Sequence, residues 1–208
     1  MRNPALALLL LTTASCAPTG LRPPPGPVIP IPADALAGSN IVVYPLNTMR
    51  ADTVLGWDRE LGDPALALKR VDSIVIAMLN RRLPQVKWAP NADLYKAAAQ
   101  APGLLTPPNE MATIQLMTHA TDRLKEPLAA QLRQLTGATT GGRYALVPAN
   151  LWFERKDATR GNAKLVVALV DVRRGAVSWS ATMTGVGTSA WEAITSAVII
   201  LTSQEAAP

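Results

Sequence analysis

Few side chains in this sequence have the chemistry for catalysis or coordination, and their spacing sorts them quickly. His119 is the only histidine. It follows Met117 and Thr118, with no cysteine or clustered carboxylate at ligand spacing. A metal site needs several convergent ligands, so His119 reads as a surface or boundary residue. A Ser-His-Asp arrangement would have to use that one histidine, and no nucleophile-elbow glycine pattern accompanies it. The run Gly137-Ala138-Thr139-Thr140-Gly141-Gly142-Arg143 lacks the Gly-Lys-Ser/Thr end of a phosphate loop and precedes a strand pattern instead of following one. It reads as a helix cap and a loop. Asp58, Glu60 and Asp63 place three carboxylates close together. Trp57 and Arg59 interrupt them and a helix start follows Asp63, which points to a helix-dipole role and not to a cation site. No spaced carboxylate pair suited to polymer hydrolysis stands out. The expectation is no catalytic residue, no metal and no cofactor. Cys16 is the exception: it is the only thiol, so the fold has no internal disulfide, and it stands where a stretch of small residues ends.

The elements before Cys16 explain its position. Arg2 is a short positive start, and Ala5 to Leu11 is an apolar run of signal-peptide length, too short to span a bilayer as a helix. Thr12 to Ser15 are small. The segment resembles the lipobox of bacterial lipoproteins, in which Leu is common three places before the cysteine. Thr13 stands there, whereas Ala14, Ser15 and Cys16 match. The resemblance implies residues 1–15 as a signal peptide, lipidation at Cys16, and a membrane as partner through that lipid. Several acyl chains on one residue anchor stably where one is marginal. Ala17, in place of Asp, implies by the same resemblance the periplasmic face of the outer membrane. The alternative is an ordinary secretory signal, with Cys16 incidental.

Residues 17 to 38 hold seven prolines and few charges. Proline fixes φ and donates no hydrogen bond, so residues 16–38 are expected to form a lipidated, extended tether of roughly 70 Å. A single domain over 39–205 follows, long enough for a sizeable core. Of 20 Lys+Arg only Arg2 falls in the signal, which leaves 19 against 15 Asp+Glu. The cations occur as short pairs, Lys69-Arg70, Arg81-Arg82, Arg155-Lys156 and Arg173-Arg174. Without an aromatic-interleaved stripe, and with an export signal, nucleic acid is excluded as a partner.

Within the domain, Ile41 to Leu46 reads as a buried strand. Asp63-Pro64 gives an N-cap with proline at the first helical position, and Leu68, Val71, Val75 and Met78 form the stripe of the helix, which Pro84 stops. Val86-Lys87-Trp88 is a short strand. Residues 91 to 99 read as helix. Ile114, Met117, Thr121 and Leu124 suggest another helix from Asn109, and Leu128, Leu132 and Leu135 a further turn set capped by Gly137. Strands follow from Arg143 to Phe153, where Pro148 implies a bulge or an edge, from Lys164 to Val172, and over Val177, Trp179, Ala181 and Met183, which alternate with polar residues. Arg173-Arg174-Gly175 is a hairpin turn. Ser189 and Glu192 form a capping box before a last helix striped by Trp191, Ile194, Val198 and Leu201. The order β-α-β-α-α-β-β-β-α predicts an α/β (α+β) fold, a mixed sheet of about five strands with helices packed on it.

The segments IVVYPL, GGRYALVPANLWF and LVVALVDVRRGAVSW, closed by a helix, resemble the N-terminal domain of the Tol translocation protein, the periplasmic domain of the curli secretion lipoprotein, and the lipoproteins that activate penicillin-binding proteins. The hairpin Leu169 to Trp179 carries most of the likeness, and such a pattern reports fold more than function. The resemblance implies a lipid-anchored, non-enzymatic cell-envelope interaction module with an envelope protein as partner. Two alternatives stand beside it: a self-assembling structural lipoprotein forming a homo-oligomer, and an envelope-polymer hydrolase. Trp88, Trp179 and Trp191 follow core periodicities. Trp57 lies in a glycine-flanked polar loop and, with Arg59, is the candidate partner contact, unless the loop folds back and buries it.

Overall fold

The computed structural model describes residues 29–117 and 123–203, so Cys16, the expected signal segment, most of the proline-rich run and His119 lie outside it. A six-stranded mixed sheet forms the centre. It comprises β1 (Asn40–Val43), β2 (Met49–Arg50), β3 (Lys87–Ala89), β4 (Tyr144–Arg155), β5 (Gly161–Asp171) and β6 (Ala176–Gly187), in the order β3-β1-β4-β5-β6 with β2 beside β4. The fold class is as the sequence predicts. Strands β1, β3 and β4 are parallel, and β4, β5 and β6 form an antiparallel meander.

The connections set the two faces. Helix α2 (Pro64–Arg82) carries the chain from β1 to β3 over one face, and α5 (Ala190–Leu201) lies on that face too. Helices α3 (Asn91–Gln100) and α4 (Leu128–Thr139) carry it from β3 to β4 over the other. Alternation along β1 follows: Ile41 and Val43 point to the α2 side, Val42 and Tyr44 to the α4 side. Buried on both faces, β5 is the apolar run expected of a central strand. The register shifts between Pro148 and Asn150, so Pro148 sits at a bulge. Helix α5 packs directly on β6: a Cβ on Gly185 would stand 2.1 Å from the Ala193 carbonyl and the Ala197 nitrogen, so only glycine fits.

Several expectations are corrected. The proline-rich run does not stay extended to residue 38. Ile31, Ala33 and Leu36 are buried in the core, Ile31 N–H donates to the Leu201 carbonyl, and Gly38 N–H to that of Gln85. Three apolar side chains outweigh the pull of their neighbouring prolines. The helix expected from Asn109 is replaced among the described residues by two 3-10 turns, Pro108–Glu110 and Thr113–Met117. Met111 and Leu116 are buried there and Ile114 is exposed, while the Pro108 and Met111 carbonyls accept from the Asn47 amide. Gly137 does not end α4, which continues to Thr139. On β6 the alternation breaks at a second register shift, where Leu169 faces Trp179 and Val170 faces Val177. Val177 therefore packs with the α4 side and Trp179 with the α2 side.

Candidate functional site

Proline ends β1 at Pro45, and the chain turns away toward α2. One strand over, Pro90 ends β3 and the chain turns the other way into α3. Two adjacent parallel strands whose connections leave to opposite faces open a crevice at their carboxyl ends, the usual binding place in such sheets. Here it is a groove of about 960 Å³ lined by Pro45, Leu68, Asp72, Ile76, Asn91 and Tyr95, among others. The volume lies at the upper end of the range for small-molecule pockets.

Asp72 holds the groove together. Its Oδ1 accepts from the Leu46 N–H at 2.9 Å and its Oδ2 from the Asn91 amide at 2.8 Å. One carboxyl thus ties α2 to the loop after β1 and to the first residue of α3. Burial pushes its pKa up to about 6, against the opposing pull of the Leu46 and Asn91 hydrogen bonds. With both oxygens already accepting, Asp72 acts as a strut. It is the only carboxylate among the groove's described lining residues, so the groove does not supply the facing pair that a hydrolase of the carboxylate type uses. Tyr95 stands at the rim, 41% exposed. Burial, and then the Asp72 charge, raise its pKa. Largely apolar walls and an aromatic at the lip, with one cation at Lys69, suit a peptide segment or a protein loop better than a compact ion.

The other singled-out residues separate. Trp57 starts the short helix α1 (Trp57–Leu61) and is only 5% exposed, edge-on to Phe153 with ring centroids 5.4 Å apart. The loop folds back, and the exposure on which a contact role for Trp57 rested is gone. Arg59, on the same helix, is exposed. Asp63 caps α2 as expected, accepting from Leu66 N–H. Glu60 does something the sequence hides: its carboxylate accepts from Ala190 N–H at 2.9 Å and so caps α5, far along the chain. Ser189 accepts from Glu192 N–H, and the Glu192 carboxylate reaches Thr188, one residue before the expected position. Trp88 is buried, and Trp179 and Trp191 are half-buried against the core. Asp171, quoted above only for its fold pattern, is 2% exposed and gathers Arg143 at 2.6 Å together with the Arg173 and Arg174 N–H groups of the hairpin turn, where Gly175 takes φ 61. Nothing local in sequence marks Asp72. Its carboxylate beside the apolar stripe of α2 is the one available sign.

No family model matches the chain, and no curated protein sequence does. Among solved structures, the chain is similar to the LpoB C-terminal domain from Salmonella enterica, with 15% identity over 71% of this chain and 82% of that one and a TM-score of 0.41. It is also similar to the PelC dodecamer from Paraburkholderia phytofirmans, at 16% identity over 79% and 84% with a TM-score of 0.39. A lipoprotein from Neisseria meningitidis is comparable, at 16% identity over 72% and 83% with a TM-score of 0.39. These structures carry neither the Tol nor the curli name. At such identities and scores, nothing about activity or partners transfers to this chain.

Proposed function

We propose that this chain is a lipid-anchored interaction module of the cell envelope, without catalytic activity, that is tethered through Cys16 and offers the groove between α2 and α3 to a protein partner. The observation that carries the reading is the groove itself: an apolar crevice at the carboxyl ends of β1 and β3 whose one carboxylate is spent on holding its walls. A partner segment gains from burying apolar surface there. The lipobox-like segment supports the anchor, with the periplasmic face of the outer membrane as the implied place.

The test has two arms. Palmitate labelling in cells is expected for the parent chain and lost in Cys16→Ser; labelling retained in that variant overturns the anchor. Photo-crosslinking from position 95 is expected to give one discrete protein adduct, absent when Leu68→Glu fills the groove with charge. A position-95 probe that captures nothing, while the domain is folded and exported, overturns the groove.

Self-assembly has its own supporting observation. The edge strand β6 runs twelve residues without a charged side chain or a proline, and natural edges usually carry one or the other. A strict monomer in light scattering at high concentration removes this second reading.

A further inference from the structure

In sequence the cations are scattered pairs, but the fold gathers many of them at one end. Strands β1, β3 and β4 all begin there, β5 ends there and β6 starts there. Arg81 and Arg82 finish α2 at this end, where the Arg82 guanidinium reaches the Thr202 carbonyl, and Lys87 opens β3 opposite Asn40. Arg173 and Arg174 form the tip of the β5–β6 hairpin. Arg143 opens onto that tip through Asp171, and Arg133 donates to the Val172 carbonyl. Arg123 and Lys125 flank Leu124, whose N–H donates to the Gly175 carbonyl of the same hairpin. Against these nine cations stand, among the described residues, Asp34, Glu126 and Asp171. Asp171 is buried under Arg143, and Glu126, although exposed, spends one oxygen on accepting from Ala130 N–H.

The other end is mixed in sign. The hairpin between β4 and β5 carries Glu154, Arg155, Lys156, Asp157 and Arg160, with Asp157 and Arg160 paired at 2.8 Å. The segment before α2 carries Asp52, Asp58, Glu60 and Asp63 with Arg50 and Arg59. The net positive charge of the described residues is therefore concentrated at one pole.

The chain also arrives at that pole. Ile31 bonds to Leu201 at the end of α5, and Gly38 to Gln85 just before β3. Whatever precedes residue 29 leaves from the basic end. Cys16 is thirteen residues upstream of Ile29, so covalent geometry holds the basic pole within about 45 Å of that cysteine. A charged surface held so near a membrane meets it at high effective concentration. Anionic headgroups attract Lys and Arg within a Debye length.

We propose that this basic pole docks on an anionic phospholipid surface, so that the domain sits on the membrane that holds its anchor with the groove facing away. The inference rests on the tethering reading for its geometry. Docking itself needs only the folded domain, and so it can be tested with the lipid removed.

The experiment uses the full chain carrying Cys16→Ser, sedimented with vesicles of phosphatidylglycerol and phosphatidylcholine, or of phosphatidylcholine alone, at low salt. Binding is expected on the anionic vesicles alone and is expected to vanish at about 0.5 M salt. The triple variant Arg123→Glu, Lys125→Glu, Arg174→Glu is expected to bind at least about tenfold more weakly. A control triple with the same charge change at the mixed end, Arg50→Glu, Arg59→Glu, Lys156→Glu, is expected to lose less than about threefold. Circular dichroism melts establish that each variant is folded, and the milder Arg174→Gln, Lys125→Gln pair stands in if the triple is not. Equal losses in the two triples, no preference for anionic vesicles, or equal affinity for a short oligonucleotide overturns the proposal. Failure here with palmitate labelling intact leaves the anchor standing, and loss of labelling with vesicle binding intact does the reverse.

Discussion

Two partly or fully buried aspartates stand near opposite ends of the sheet, and the protein treats them in opposite ways. Asp72, at the groove, receives one backbone N–H and one neutral amide, and burial wins: its pKa is pushed up to about 6. Asp171, at the basic pole, is more deeply buried, and burial again pushes upward. There, however, the Arg143 guanidinium and the turn N–H groups of Arg174 and Arg173 overcome it, and its pKa falls below the usual carboxylate range. A full positive charge at 2.6 Å decides the difference. The lesson is one of role. Asp171 is an electrostatic cornerstone of a turn that must hold three arginines together, whereas Asp72 is a hydrogen-bonding strut that gains little from being charged.

The pH dependence separates the two. Between about pH 4 and 6 the folded chain keeps a proton on Asp72 that the unfolded chain has lost, so this residue makes stability fall as pH rises through that window and adds nothing further above it. Asp171 works the other way. Its contribution is present above the unfolded carboxylate pKa and is lost as pH falls through its lower folded value.

Substitutions can break or sharpen the contrast. The largest effect is expected for Asp171→Ala, which strands Arg143 and two turn N–H groups and costs roughly 3 kcal/mol in a urea denaturation at pH 7. A loss below about 1 kcal/mol would reduce Asp171 to an ordinary turn residue. Next comes Asp72→Asn. If the Asn91 amide rotates to present its oxygen, both struts survive without the cost of a part-buried charge. Stability at pH 8 is then expected to rise by about 2 kcal/mol, with no gain at pH 3.5. A loss at pH 8 would mean that the charge itself is needed. Tyr95→Ala, at an exposed rim, is expected to shift stability by less than about 1 kcal/mol while abolishing partner capture at the groove. Smallest is Arg174→Gln. Its side chain is 76% exposed and its nitrogen is 3.8 Å from Asp171, so a change under about 0.5 kcal/mol is expected.

Much of the architecture was legible because it is written in local signals. Asp63-Pro64 starts α2, Gly175 turns the β5–β6 hairpin, Pro148 marks the bulge, and the apolar run of β5 announces a central strand. What stayed hidden was non-local. Glu60 caps a helix about 130 residues away, and Asp72 joins the loop after β1 to the start of α3, which only the sheet brings together. The apolar spacing over 109–124 suggests a helix, but the Pro108 and Met111 carbonyls serve Asn47, and Met111 and Leu116 are buried while Ile114, on the expected stripe with the buried Leu124, is exposed. Trp57 looked exposed because its neighbours are polar, although its own ring is what the loop folds back to bury. The basic pole could not be read either, since its cations come from several separate segments of the chain.

The measurement that bears most directly on the whole account uses the fact that Cys16 is the only native cysteine. With Cys16 acylated, a cysteine introduced at position 174 or 95 can be labelled alone with a fluorophore, and spin-labelled lipid headgroups can then quench it in reconstituted membranes. The account predicts strong quenching at position 174 and little at position 95. Equal quenching at both, or the reverse order, would contradict it.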